Sequence, residues 1–219
     1  MARSLKNGSN LTQNAVIVIA DGCYDECMQK LDTLRQIVET LYTANNPDAD
    51  VWIDWSYENH VLFVASLTEK IGTAQHANVA LAVAGALLHD VADAVMARSN
   101  PEHETKSLAL AYELLQKSGF SKDETDFVVN EIIKPHSCKE LMPTALEGKI
   151  MATADGAAHF LTDFYPLFCW RHYGPQDDYA VFKAWMLGKM EKDFTKKLFF
   201  DDVKREVMPH YEALKLIFS

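Results

Sequence analysis

"HANVALAVAGALLHDVADAVMA", residues 76–97, decides the fold. From Val79 to Leu88 it carries no polar side chain, so it reads as a helix apolar on nearly every side, buried at the centre of a bundle. His89, Asp90 and Asp93 then fall within five positions of that same apolar stretch. A buried carboxylate without a partner is expensive, so something must compensate for these side chains. Neighbours on a helix diverge by about 100°, so His89 and Asp90 share a site only if it lies between their directions. Asp93, one turn after His89, lies near the same wall. Two readings stand side by side here: an internal His–Asp hydrogen bond, or a metal site.

Working outward, the chain reads helical nearly throughout. Towards the N-terminus, "YDECMQKLDTLRQIVETLYTA" places Met28, Leu31, Leu34, Ile37, Val38 and Leu41 at helical spacing, and "NNPDAD" breaks it. "ENHVLFVASLTEKI" follows, with Phe63, Val64, Leu67 and Ile71 on one stripe. Beyond the central stretch, Asn100 caps a helix with Pro101 as its first residue, and Ser121 with Glu124 forms a capping box. Pro135 ends or kinks that second helix. "ALEGKIMATADGAAHFLTDFYPLFCW" reads as a long helix kinked near Pro166, and residues 178–198 and 201–217 as two amphipathic helices. With no convincing strand alternation, repeat or low-complexity linker, residues 1–219 are expected to form a single all-α domain.

Bulk properties exclude several functions. The net charge of −10 argues against a partner that is a nucleic acid polymer, whose binders are basic. It leaves room for a small phosphorylated substrate, because a metal ion supplies positive charge locally. The apolar run "AVIVIA" is too short for a membrane span or a signal sequence. Cys23, Cys27, Cys138 and Cys169 are scattered, with no second pair to complete a zinc site. Reduced thiols and the lack of a targeting segment point to the cytoplasm.

The core carries further polar residues. His60 sits on the apolar stripe of its own helix, as either a singly hydrogen-bonded core histidine or a ligand. Asp155 lies among Ala152, Thr153, Ala154, Gly156, Ala157 and Ala158, small neighbours that let another helix approach closely. A carboxylate buried there either bonds a backbone group or is held ionised by a cation. Inward His60, His89, Asp90 and Asp155 together offer mixed imidazole and carboxylate donors, which suit manganese, iron, magnesium with waters, or zinc better than calcium. His103 falls in the first turn of the Asn100-capped helix, where the positive end of the dipole disfavours imidazolium. His136 follows Pro135. Each of these two alone reads as a surface histidine.

The ordered set "ENHVLFV", "ALLHDVAD", "PEHETKSLALAYELL", "NEIIKPHS" and "LEGKIMATADG" resembles the HD superfamily of metal-dependent phosphohydrolases, over roughly residues 54 to 165. The resemblance implies an HD-type helical bundle, with the N-terminal helix and residues 178–219 as additions that cover the bundle or make a homodimer face. It implies metal ligands His60, His89, Asp90 and Asp155. Members with two metals add histidines at the places of His103 and His136, so the cofactor is one or two divalent ions per chain. The family's common "DADRLD" element is here "TADGAAHF", and the glycine-tyrosine-proline signature of its cyclic dinucleotide phosphodiesterases is absent.

The resulting expectation is hydrolysis of a phosphate ester or anhydride in a nucleotide-like metabolite by metal-activated water. Asp93 is the candidate to position or deprotonate that water, and Lys134 and Lys149 are candidate phosphate contacts, with Arg98 and Arg171 as weaker ones. Two rivals use the same residues: a di-iron oxygenase of the inositol oxygenase kind, and a nucleotide-sensing module without turnover. His159 reads as structural, with a place beside a ligand as its other reading. His76, His172 and His210 have no place in the motif. The aromatic run "HFLTDFYPLFCWRHY" walls a pocket or fills the core.

Overall fold

Tight apolar spacing puts Leu31, Leu34, Val38 and Tyr42 of the first helix, α1 (Asp21–Tyr42), into the core. The computed structural model describes residues 21–167 and 178–218. Asn45 turns the chain with φ of 51°, a left-handed conformation that asparagine tolerates. The buried Asp50 then ties the connection down: its Oδ1 accepts from the Trp52 amide at 3.3 Å and its Oδ2 from the Arg98 amide at 2.6 Å.

Helix α2 (Ile53–Ser56) runs through a π-helical turn, Tyr57–Val61, into α3 (Leu62–Ala74). Next comes α4 (Val79–Leu88), capped by Asn78 and buried from Leu81 to its end. Gly85 allows this burial, since a Cβ there would lie 2.5 Å from Ile132 Cγ2. The sequence led us to expect the His-Asp pair and Asp93 on one helix; the α-helix instead ends at Leu88. Asp90 leaves helical conformation (φ −124°, ψ 29°), and Val91–Ala94 form a 3₁₀ turn. Helix α5 (His103–Lys117) starts two residues later than the Pro101 start expected, because the Asn100 side chain caps a turn by accepting from the Glu102 amide at 2.9 Å. The Ser121–Glu124 capping box opens α6 (Lys122–Phe127), which continues as a second π-helical turn, Val128–Ile133.

The long helix α7 (Leu146–Leu161) is buried from Ile150 to Phe160. It stops before Pro166 rather than kinking there: Thr162 is extended, and a helical turn follows at 164–167. Trp170, Arg171 and His172 lie outside the described residues. Helix α8 (Tyr179–Lys192) passes into a third π-helical turn, Asp193–Lys197, before α9 (Asp201–Phe218). The described residues contain no strand, so the architecture is all-α. None of their helices is long and apolar enough to cross a membrane.

Two apolar clusters flank α7. One joins α1, α3, α4, α5 and the second π turn to Ile150, Met151, Ala154 and Ala158. The other packs Ala157 and Phe160 against Phe182, Met186, Met190, Phe194, Val207 and Tyr211 of the C-terminal helices. The C-terminal helices are therefore built onto the motif-bearing core along the helix that carries Asp155.

Candidate metal centre

His60, His89 and Asp155 converge from the first π turn, the end of α4 and the middle of α7, all buried. His60 Nε2 lies 3.2 Å from His89 Nε2, and Asp155 Oδ1 lies 3.4 Å from the first and 3.8 Å from the second. Because the chain leaves the α-helix at Asp90, the 100° divergence does not apply, and Asp90 Oδ2 comes within 3.4 Å of His89 Nε2. Donors bound to one cation at about 2.1 Å sit about 3.0–3.5 Å apart, the spacing seen here.

The protonation pattern fits a cation. His89 Nδ1 donates to the Ala86 carbonyl at 2.7 Å, which leaves the Nε2 lone pair aimed at Asp90, Asp155 and His60. His136 Nδ1 donates to the Ile133 carbonyl at 2.6 Å, freeing its Nε2, 4.0 Å from Asp90 Oδ1. Burial holds His60 well below the ordinary histidine range and brings His136 down to about 4, so both rings are neutral. Against the burial that would raise them, Arg98 holds Asp90 ionised and Lys197 does so for Asp155. Imidazole nitrogens and carboxylate oxygens thus lie 3.2–3.8 Å apart, a donor set that suits a divalent cation.

Outside this cluster the other candidates take different places. Asp93 is buried and engaged by three donors: Trp52 Nε1 at 3.0 Å, Arg98 Nη2 at 2.6 Å and His103 Nε2 at 2.7 Å. It sits in the 3₁₀ turn rather than on the helix of the His-Asp pair. His103, the first residue of α5, reaches Asp93 and lines the cavity above the cluster. Lys134 is exposed on the cavity wall. Lys149 is half-buried at the start of α7 and is not among the residues lining the cavity. His76 and His210 are exposed.

Sequence reasoning missed the contribution of α8 and its π turn. Asp155 Oδ2 pairs with Lys197 Nζ, itself buried. The fully buried Asp193 accepts from His159 Nδ1 at 2.9 Å, Tyr165 Oη at 3.1 Å and Lys189 Nζ at 2.7 Å. His159 is brought by burial and Lys189 down to about 4, and its Nε2 looks onto Asp155 Oδ1 at 3.3 Å. The signal was faint: Lys189, Asp193 and Lys197 are spaced by four, which usually marks a solvated face. Only the apolar neighbours Met190 and Phe194 hinted otherwise.

The cluster forms the floor of a cavity of about 750 Å³. Its walls include Trp52 and Phe164, so the aromatic run serves core and pocket at once. Six cationic side chains line it (Arg98, Lys134, Lys139, Lys189, Lys192 and Lys197) against the acidic Asp90, Glu104 and Asp155. In a chain of net charge −10, that concentration suits an anionic ligand.

The HD domain family matches residues 57–158, which contain His60, His89, Asp90, His103, His136 and Asp155. No curated protein matches the chain. Among solved structures, Bacillus subtilis YpgQ in complex with ADP is similar at 22% identity and a TM-score of 0.59, covering 88% of this chain and 93% of that one. Selenomethionine YpgQ from Bacillus subtilis is similar at 21% identity and the same TM-score, with 88% and 92% covered. At these identities the likeness shows the fold alone. The buried His, His-Asp and Asp cluster thus lies on an all-α bundle, within the segment that matches the HD domain family.

Proposed function

We propose that the protein is a metal-dependent phosphohydrolase acting on a phosphate ester or anhydride of a nucleotide-like metabolite. One observation carries the reading: buried imidazoles and carboxylates converge at the floor of a cavity whose walls carry six cationic side chains. The ADP bound to YpgQ, a protein of similar fold, supports a nucleotide-like ligand.

His60, His89, Asp90 and Asp155 would hold a divalent ion, which supplies a water of lowered pKa and a Lewis acid for the phosphoryl oxygen. The chain's own residues do the rest. Ala86 and Ile133 carbonyls fix the tautomers of His89 and His136. The free His136 Nε2 accepts a hydrogen bond from the attacking water and orients it. Arg98 and Lys134 offset phosphate charge on two sides of the cavity. Asp93, held by three donors, positions Arg98 and His103 rather than taking a proton.

The test is phosphate release from a panel of nucleotides and phosphate esters with manganese, magnesium or iron added, alongside elemental analysis. Turnover that disappears in folded His89→Ala and Asp90→Ala supports the reading. Metal-loaded protein that releases no phosphate from the panel but consumes oxygen with a substrate overturns it.

A further inference from the structure

We propose that Arg98 stands where a second metal ion would sit, so that this centre takes a single divalent cation. The inference rests on the reading of His60, His89, Asp90 and Asp155 as the metal site and goes on to its stoichiometry.

All six histidines and aspartates of a two-metal set are present in the chain, and a second ion would need Asp90, His103 and His136 together. The structure engages two of these three otherwise. Arg98 Nη2 lies 2.5 Å from Asp90 Oδ2 and 2.6 Å from Asp93 Oδ2, so one guanidinium nitrogen bridges both carboxylates. His103 Nε2, the atom that would ligate, is at 2.7 Å from Asp93 Oδ1. Only His136 keeps a free ring nitrogen towards Asp90, at 4.0 Å.

Arg98 is held there from several directions. Its backbone amide is anchored on Asp50, and its guanidinium lies over the Trp52 ring at 4.8 Å from the centroid. The Trp52 indole in turn donates to Asp93. Asp50, Trp52, Asp93 and His103 thus form a frame around one arginine. A dication at the second position would have to displace the guanidinium from both carboxylates and break the His103–Asp93 hydrogen bond, whereas the first position keeps His60, His89 and Asp155 as donors besides Asp90. The arginine is charged at every working pH, so the second positive charge at the phosphoryl site does not depend on metal supply.

The experiment is manganese binding by equilibrium dialysis and EPR, with the full chain, for wild type, Arg98→Lys, Arg98→Ala and Arg98→Gln. Circular dichroism checks each fold. We expect saturation at one ion per wild-type chain, with the spectrum of an isolated manganese. Arg98→Lys stays at one. Arg98→Ala or Arg98→Gln, whichever folds, gains a second ion with the spectral signature of a coupled pair. Two ions on the wild-type chain overturn the proposal, as does a folded Arg98→Ala or Arg98→Gln that still saturates at one. If neither neutral variant folds, the wild-type count and spectrum decide it alone. A wild-type chain that binds no manganese, zinc or iron overturns the metal-site reading itself, a result distinct from a wrong count.

Discussion

Asp193 shows how much a single buried carboxylate can organise. Its Oδ2 takes hydrogen bonds from an imidazole, a phenol and an ammonium group, while Lys192 Nζ lies 3.7 Å from its Oδ1. Against the burial that would raise its pKa, Lys189, His159 and Lys197 hold it far below the usual carboxylate range. Asp193→Ala strands the half-buried Lys189 and the buried His159, so it should cost about 3 kcal/mol of stability in urea unfolding. Asp193→Asn, which keeps an acceptor, should cost less. The neutral histidines give a second expectation for the metal-free protein. His136 and His159 titrate at about 4 when folded and near 6.5 when unfolded. Between those values the unfolded chain binds more protons, so stability rises with pH. Each ring adds a slope of up to about 1.4 kcal/mol per pH unit. The contribution is complete above about pH 6.5 and is lost as pH falls towards 4, which urea titrations at several pH values will show.

At the scale of elements, all three π-helical turns serve the site. One carries His60, one leads to Lys134 and His136, and one carries Asp193 and Lys197. A wider turn accommodates one extra residue and so re-aims everything on one side of it. Deleting Glu58, which is exposed, should return the first of these turns to α-geometry and turn Trp52 and α2 by about 100° relative to His60 and α3, breaking the Trp52–Asp93 frame beside the cluster. The expected outcome is near-native helicity by circular dichroism with metal affinity weakened. Close packing supplies a companion test. A Cβ on Gly156 would lie 2.8 Å from Lys197 Cβ, so Gly156→Ala should push the third π turn off α7. That overpacking should cost about 1–3 kcal/mol in urea unfolding and weaken metal binding.

These elements also show what residue patterns reveal. The burial of α4, the Ser121–Glu124 capping box and the inward His60, His89 and Asp155 were all readable, because apolar periodicity marks which side chains face inward. The π turns were not, since an inserted residue leaves no mark in composition. The exit from the helix at Asp90 was equally hidden, though it is what lets the His-Asp pair share a site. Lys189, Asp193 and Lys197 carry the pattern of a solvated face, and only tertiary packing buries them.

On the scale of the whole molecule, α7 is a shared wall, with one apolar cluster on each side. The C-terminal helices should therefore not unfold before the rest. Far-ultraviolet circular dichroism and tryptophan fluorescence, which reports all four tryptophans with Trp52 and Trp55 of the second cluster among them, should give coincident urea transitions. Because the proposed ion joins the first π turn and the end of α4 to α7, the wall that both clusters share, its binding should stabilise the molecule as one unit. At a hundred times its dissociation constant, the gain is about 2.7 kcal/mol, visible as a raised melting temperature that a chelator reverses.

The frame around Arg98 and the π turn at Lys197 have a practical consequence for anyone excising a minimal fragment around the proposed metal site. Cuts at residues 57 and 158 would retain all six residues of the two-metal set yet discard Asp50 and Trp52 at one edge, and His159, Asp193 and Lys197 at the other. Such a fragment would keep the ligands and lose the clamp that aims them, so this chemistry belongs to a longer stretch of polypeptide than the motif that advertises it.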